Sequence, residues 1–168
     1  MGTISAKPTA KDIELLYRTA QIATETRAAG NQPFGALLTD ATGTIILEQG
    51  NVVVTKLNAC GHAETMLLMW ASQLYSRDFL ATCSLYASVE PCAMCSGALY
   101  WTNVGRLVYG ISGRQLQEFS RNNTKHPTLD LPCRQVLDRG QKDIVVVGPV
   151  DDPDLIKRIS KDHVHFWA

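Results

Sequence analysis

Two short stretches carry residues able to do chemistry together: His62-Ala63-Glu64 and Pro91-Cys92-Ala93-Met94-Cys95. One imidazole and two thiols are ligands of the type and number that zinc takes when a coordination position stays open for water. A fourth Cys or His would mark a closed, structural site. Zinc brings the pKa of its water to about 7, so hydroxide is available at neutral pH. Glu64, two residues from the histidine, is placed to handle that water's protons.

These residues have to be delivered by local structure, and both stretches read as helix starts. Pro91 suits a first turn, and the helix it opens runs to about Trp101. At i and i+3, Cys92 and Cys95 face the same side of that helix. Free amide N–H groups and partial positive charge at the helix start lower the thiol pKa toward the thiolate that zinc requires. His62 arrives from a second helix, predicted from His62 to Leu74 or Tyr75, so the metal ties two elements together. Along that helix Leu67, Trp70, Ala71 and Leu74 share one face and Met66, Met69 and Gln73 another. Cover on two sides follows, from a sheet and from a partner subunit. Cys92-x-x-Cys95 alone would also suit a redox pair, but its combination with His62-x-Glu64 favours a metal site. Cys60, the nearby thiol that could close such a site, reads with Cys83 and Cys133 as a small core residue. His126, His163 and His165 lack ligand spacing and read as structural or exposed.

The flanking sequence alternates helix and strand. Thr9 is an N-cap with Asp12 as a weak capping-box partner, and Gly30 stops the first helix. Phe34 to Thr39 and Thr44 to Glu48 read as a hairpin around Asp40-Ala41-Thr42-Gly43. Val52 to Gly61 is a loop. Cys83 to Val89, Val104 to Tyr109 and Ile144 to Val147 are buried strands. Short helices are expected at Gln115 to Phe119 and Cys133 to Asp138, with a polar loop from Asn122 to Pro127 between them. Asp152 to Ile159 closes the chain as a helix before the tail His165-Phe166-Trp167. Strands alternating with helices predict a three-layer α/β/α domain spanning residues 1–168.

Composition narrows the partners. With 168 residues, 45% hydrophobic and 19% charged, the chain has the make-up of an ordinary globular domain. Lys plus Arg and Asp plus Glu stand at 16 each, which weighs against a long polyanionic partner. No apolar run approaches the roughly 20 residues of a membrane span. Met1 to Pro8 lacks the apolar core of a secretory signal, and thiolate ligands suit a reducing compartment. A cytoplasmic enzyme is the expectation.

The pattern H-x-E…P-C-x-x-C belongs to zinc nucleobase deaminases. The sequence resembles the cytidine deaminase-like superfamily, in the branch of guanine, nucleoside and tRNA adenosine deaminases and fungal cytosine deaminase. The resemblance rests on Pro33-Phe34-Gly35-Ala36-Leu37, Gly50-Asn51, His62-Ala63-Glu64 and Glu90-Pro91-Cys92-Ala93-Met94-Cys95-Ser96-Gly97-Ala98. It implies a five-stranded mixed sheet flanked by helices, a homodimer, and one catalytic Zn2+ per chain held by His62, Cys92 and Cys95. Glu64 is then the proton shuttle of a hydrolytic deamination that releases ammonia. For the substrate it implies contacts from Phe34, from Asn51 and from the Ala63 backbone N–H. The carbonyl of Ser88 or Val89 would receive the leaving amine, and a closing aromatic, Trp167 ahead of Phe166, would cover the base. A free base or nucleoside is expected, guanine or a related aminopurine first. A cytosine- or cytidine-type pyrimidine is the alternative, as is adenosine in tRNA. Asp151, Asp152, Asp154 and Asp162 offset Lys157, Arg158 and Lys161 near the tail, which makes a poor nucleic-acid footprint.

Overall fold

The structure, a computed structural model, describes residues 1–120 and 126–167. Of the polar loop expected from Asn122 to Pro127, residues 122–125 therefore lie outside the described residues. The elements are β1 (Gly2–Ser5), α1 (Ala10–Ala28), β2 (Gly35–Thr39), β3 (Ile45–Gly50), α2 (Ala63–Leu74), α3 (Arg77–Ala81) and β4 (Ser84–Val89). They continue as α4 (Ala93–Thr102), β5 (Arg106–Ile111), α5 (Gly113–Ser120), α6 (Cys133–Leu137), β6 (Asp143–Val147) and α7 (Pro153–Ser160).

One mixed sheet forms the middle layer, in the order β1-β6-β5-β4-β2-β3. β4, β5, β6 and β1 run parallel, while β2 is antiparallel to both β3 and β4. The central strands are apolar on both faces, as a sheet covered on both sides requires. Ala36, Leu38, Leu85, Ala87, Leu107, Tyr109, Ile144 and Val146 pack with α2, α4 and α6. Leu37, Tyr86, Val108 and Val147 point the other way, to α1 and α7. Gly35 lets α1 close onto β2, because a side chain there would run into the Thr19 carbonyl. The three-layer α/β/α reading holds.

The sheet has six strands rather than the expected five. The addition is β1, a four-residue edge strand lying parallel to β6 with Gly2 opposite Asp143. Such a short, half-exposed strand has no alternation to read. It is held instead by Asp138, whose carboxylate accepts from the Thr3 N–H and hydroxyl, both at 2.7 Å.

Helix starts follow their capping chemistry. Thr9 and Asp12 form the full reciprocal box, at 2.8 and 3.1 Å. Asp12 also takes the Arg106 guanidinium at 2.7 and 2.8 Å and the Tyr86 hydroxyl at 2.7 Å. Burial alone would raise its carboxyl, but these donors outweigh burial and hold it well below the usual carboxylate range.

Other expectations need correction. The apolar face of α2 that meets the core is Ala63, Leu67, Leu68 and Ala71, while Met69, Trp70 and Leu74 are at least half exposed. α3 was too short to read, at five residues, and starts on a Ser76 cap. α4 begins at Ala93, so Pro91 precedes the helix and Cys92 caps it. Cys60 is exposed, whereas Cys83 and Cys133 are buried as expected. Among the described residues no helix is long and apolar enough to cross a membrane.

Candidate active site

The metal-type group assembles at two adjacent helix starts. His62 is the N-cap of α2 and Cys92 the N-cap of α4, both in extended backbone conformation, and neither cap position carries a side-chain cap hydrogen bond. That leaves the imidazole and the thiol free to face each other. His62 Nδ1 lies 3.6 Å from Cys92 Sγ and 3.6 Å from Cys95 Sγ, and the two sulfurs are 3.7 Å apart. Tetrahedral bonding at ordinary zinc–ligand lengths separates two sulfurs by about 3.8 Å, and a sulfur from a nitrogen by about 3.6 Å. The donors present thus fit zinc in both type and spacing. Among the described residues, His62, Cys92 and Cys95 are the group that could hold a metal ion.

The electrostatics agree with that use. The Cys92–Cys95 hydrogen bond, with a further contribution from His62, draws Cys92 down to about 4, while Cys95 is pushed up by the same bond and by burial. A thiolate is therefore already favoured at one ligand. The bond with Cys92 raises the His62 imidazole in turn. The Thr65 hydroxyl lies 3.2 Å from Cys95 Sγ, a neighbour that can orient the sulfur.

Glu64, in the first turn of α2, is buried, with one carboxylate oxygen 3.7 Å from Cys95 Sγ. Burial raises its carboxyl above the ordinary glutamate value. It lines a cavity of about 600 Å³ together with His62 and Cys92.

The remaining predicted residues divide. Phe34, Val89 and Trp167 line the cavity. The Phe34 and Trp167 rings are 6.0 Å apart, and both pack against His163, which stacks on Trp167 with an interplanar angle of 10°. His163 is fully buried, neither of its ring nitrogens has a hydrogen-bond partner among the described residues, and burial pulls its pKa down to about 4. Phe166 docks edge-on against Trp167 with Arg27 over its ring, away from the cavity lining.

Asn51, Ala63 and Ser88 do not line the cavity. Asn51 is buried, donating to Gln32 Oε1 at 3.3 Å and accepting from the Val53 N–H at 3.0 Å. Ala63 is fully buried in the core. Ser88 accepts from the Gly35 N–H through its hydroxyl, at 3.2 Å, and its carbonyl faces Gly110 of β5.

Other residues reach the cavity without having been singled out as site residues. They include Gln32, Glu90, Met94, Arg114, Leu116 and Gln117. Glu90 and Met94 stood inside the Glu-Pro-Cys block and could have been found there. For Arg114, Leu116 and Gln117 the sequence offers a helix but no sign of which surface it covers.

With the geometry in place, comparison with known proteins identifies the family. Residues 10–111 match the cytidine and deoxycytidylate deaminase zinc-binding region. A probable cytosine deaminase of Schizosaccharomyces pombe is 32% identical over 94% of this chain and 93% of its own. Over the core alone, the tRNA-specific adenosine deaminase of Haemophilus influenzae is 32% identical, covering 60% of this chain and 58% of its own. The guanine deaminase of Bacillus subtilis is 38% identical, covering 56% and 60%. Among solved structures, a guanine deaminase from Nitrosomonas europaea shares the fold, with a TM-score of 0.69 at 20% identity over 94% of this chain and 87% of that one. The chain belongs to the cytidine and deoxycytidylate deaminase zinc-binding family, and it is a zinc-dependent deaminase.

Proposed function

From that membership, we propose that the chain, as one domain over residues 1–168, deaminates a free nucleobase, guanine or a related aminopurine first. One observation carries the reading: Glu64, His62 and Cys92 line a cavity of about 600 Å³ that also has Phe34 and Trp167 on its walls. Such a volume takes a bicyclic base, and aromatic walls suit its faces.

His62, Cys92 and Cys95 would hold the ion. The chemistry zinc supplies there is acidification of water to a pKa of about 7, so that a nucleophile is on hand at neutral pH. Glu64 takes one proton of the attacking water and delivers it to a ring nitrogen of the base; it then takes the second, from the hydroxyl now on the attacked carbon, and passes it to the amine, which leaves as ammonia. Phe34 and Trp167 hold the ring flat while the amine-bearing carbon faces Glu64. The backbone carbonyl of Val89, a residue that lines the cavity, receives the leaving ammonia. Asn51 acts through Gln32, which it bonds and which does line the cavity.

A cytosine-type reading is favoured by one different finding. A relative matched over 94% of this chain carries that activity in its name. A transfer-RNA reading has relatives over the core only, and the charges of the chain balance at 16 each. Ammonia release from guanine, adenine, cytosine, their nucleosides and aminotriazines separates these readings. Release from none of them, with tight and steeply salt-dependent tRNA binding, would overturn the free-base proposal.

A homodimer is part of the same proposal. Met69, Trp70 and Leu74 on α2 and Trp101 on α4 leave an exposed apolar surface on two helices that pack together. Sedimentation at micromolar concentration tests it, and a monomer would refute it.

A further inference from the structure

Glu90 has no part in the metal group or in the proton transfers, yet it joins the loop that carries them to the far wall of the cavity. Its backbone N–H donates to the Ile111 carbonyl at 2.8 Å, one residue beyond β4. Its side chain uses both oxygens. One accepts from the Gly113 N–H and the other from the Cys133 N–H, each at 2.9 Å. Gly113 opens α5 and Cys133 opens α6. Pro91 and Cys92 follow Glu90 directly in the chain.

The two helix starts depend on this carboxylate unequally. At α5, Ser112 and Gln115 already form a reciprocal pair, with bonds of 2.7 and 3.1 Å, so Glu90 adds a third restraint. At α6 the N-cap is Pro132, which has no side-chain cap hydrogen bond to offer. Glu90 supplies that bond from a distant part of the chain. Arg114, Leu116 and Gln117 of α5, and Leu131 and Pro132 before α6, all face the cavity. A single carboxylate therefore connects the metal-ligating loop to both pieces of the outer wall.

Resting on the deaminase reading above, we propose that Glu90 is a positioning residue that holds this wall in register with the metal-ligating loop, and thereby sets how tightly the cavity grips its base. A carboxylate is needed because both partners are donors. An amide of the same size would offer one acceptor and turn an N–H toward the other helix start.

Glu90→Gln tests this in the zinc-loaded protein. Zinc content should stay at one per chain, since no ligand is touched. Amide hydrogen exchange over 113–120 and 133–137 should quicken by about 10-fold, the effect of losing a charge-assisted bond. For whichever base of the panel is turned over fastest, KM should rise about 10-fold while kcat stays within about 3-fold, which marks lost grip rather than lost chemistry. Unchanged exchange and KM would overturn the proposal, as would loss of zinc or a fall in kcat at constant KM. Should Glu90→Gln fail to fold, Gly113→Pro and Gly113→Ala decide. The first removes the N–H at a helix position that accepts proline. The second keeps it and adds a Cβ at an ordinary 3.7 Å from Glu90 Oε2. Faster exchange in α5 for the proline variant alone supports the role of Glu90, and equal exchange in the two refutes it. If no base on the panel reacts, the free-base reading falls, while exchange and zinc content still decide whether Glu90 couples loop and wall.

Discussion

The cavity has two halves built on opposite principles. On one side, His62, Glu64, Cys92 and Cys95 come from the first turns of two adjacent helices, with spacings set by local backbone geometry. On the other, the wall is gathered from Phe34, α5, the stretch before α6 and Trp167, segments far apart in sequence and held by long-range contacts. The first half commits the chain to a reaction. The second decides what enters, and it can be altered without disturbing a ligand. Relatives matched over all or part of this chain carry three different substrates in their names, which such a separation permits.

Perturbations of the two halves should differ in kind. Cys92→Ala should have the largest effect, with zinc lost, turnover undetectable and the melting temperature lowered, because ligation is coupled to folding. Metal analysis and a thermal melt check it, and a variant with full zinc occupancy would remove Cys92 from the ligand set. Glu64→Ala should keep one zinc per chain and lose about 10³-fold in kcat, since proton transfer fails while the ligands remain. Near-normal turnover would rule out the shuttle role.

Trp167→Ala belongs to the other half. It should leave zinc in place, raise KM about 10-fold, and alter the ranking of bases in the ammonia panel. A ranking identical to that of the parent chain would mean that the tail only docks the last helix. A separate effect concerns His163, the buried ring stacked on Trp167. Its pKa in the fold, about 4, lies below the ordinary histidine value of 6.5, so between those values the unfolded chain binds the extra proton. This contribution is complete above pH 6.5 and is lost as pH falls toward 4, amounting to about 3 kcal/mol at most. Asp162 and Arg27 are the charged groups acting on it, the first raising and the second lowering its pKa. Denaturant titrations should show that slope, and His163→Phe should flatten it. A slope unchanged in the variant would place the acid sensitivity elsewhere.

The same division explains what could be read in the chain beforehand. His62-x-Glu64 and Cys92-x-x-Cys95 are local patterns, and helix geometry turns them directly into a shared face. The hairpin, the buried strands and the Thr9 cap were legible for the same reason. β1 was not, because an edge strand of four residues gains its place only from β6 and Asp138. Trp70 and Leu74 shared a predicted apolar face with Leu67 and Ala71, yet they are exposed, because periodicity shows that a helix has an apolar face and not which part of it this chain covers. Asn51 and Ser88 were placed at the cavity by resemblance; the Asn51 side chain accepts from the Val53 N–H and donates to Gln32, and the Ser88 hydroxyl accepts from the Gly35 N–H. Gln32 and Glu90 line the cavity in part because of what they bond to, which spacing does not encode.

The position of the two ligating caps has a consequence for how such a chain can change. His62 and Cys92 precede their helices, so the metal group depends on where α2 and α4 begin and is indifferent to where they end. The far ends, at Tyr75 and at Asn103 with its left-handed φ of 74°, carry none of the donor atoms. Those ends lie toward the exposed Leu74 and Trp101. A lineage of such proteins is free to remodel its outer surface and its associations there, and an engineer has two ready points of attachment, while the chemistry at the other end of each helix is inherited intact.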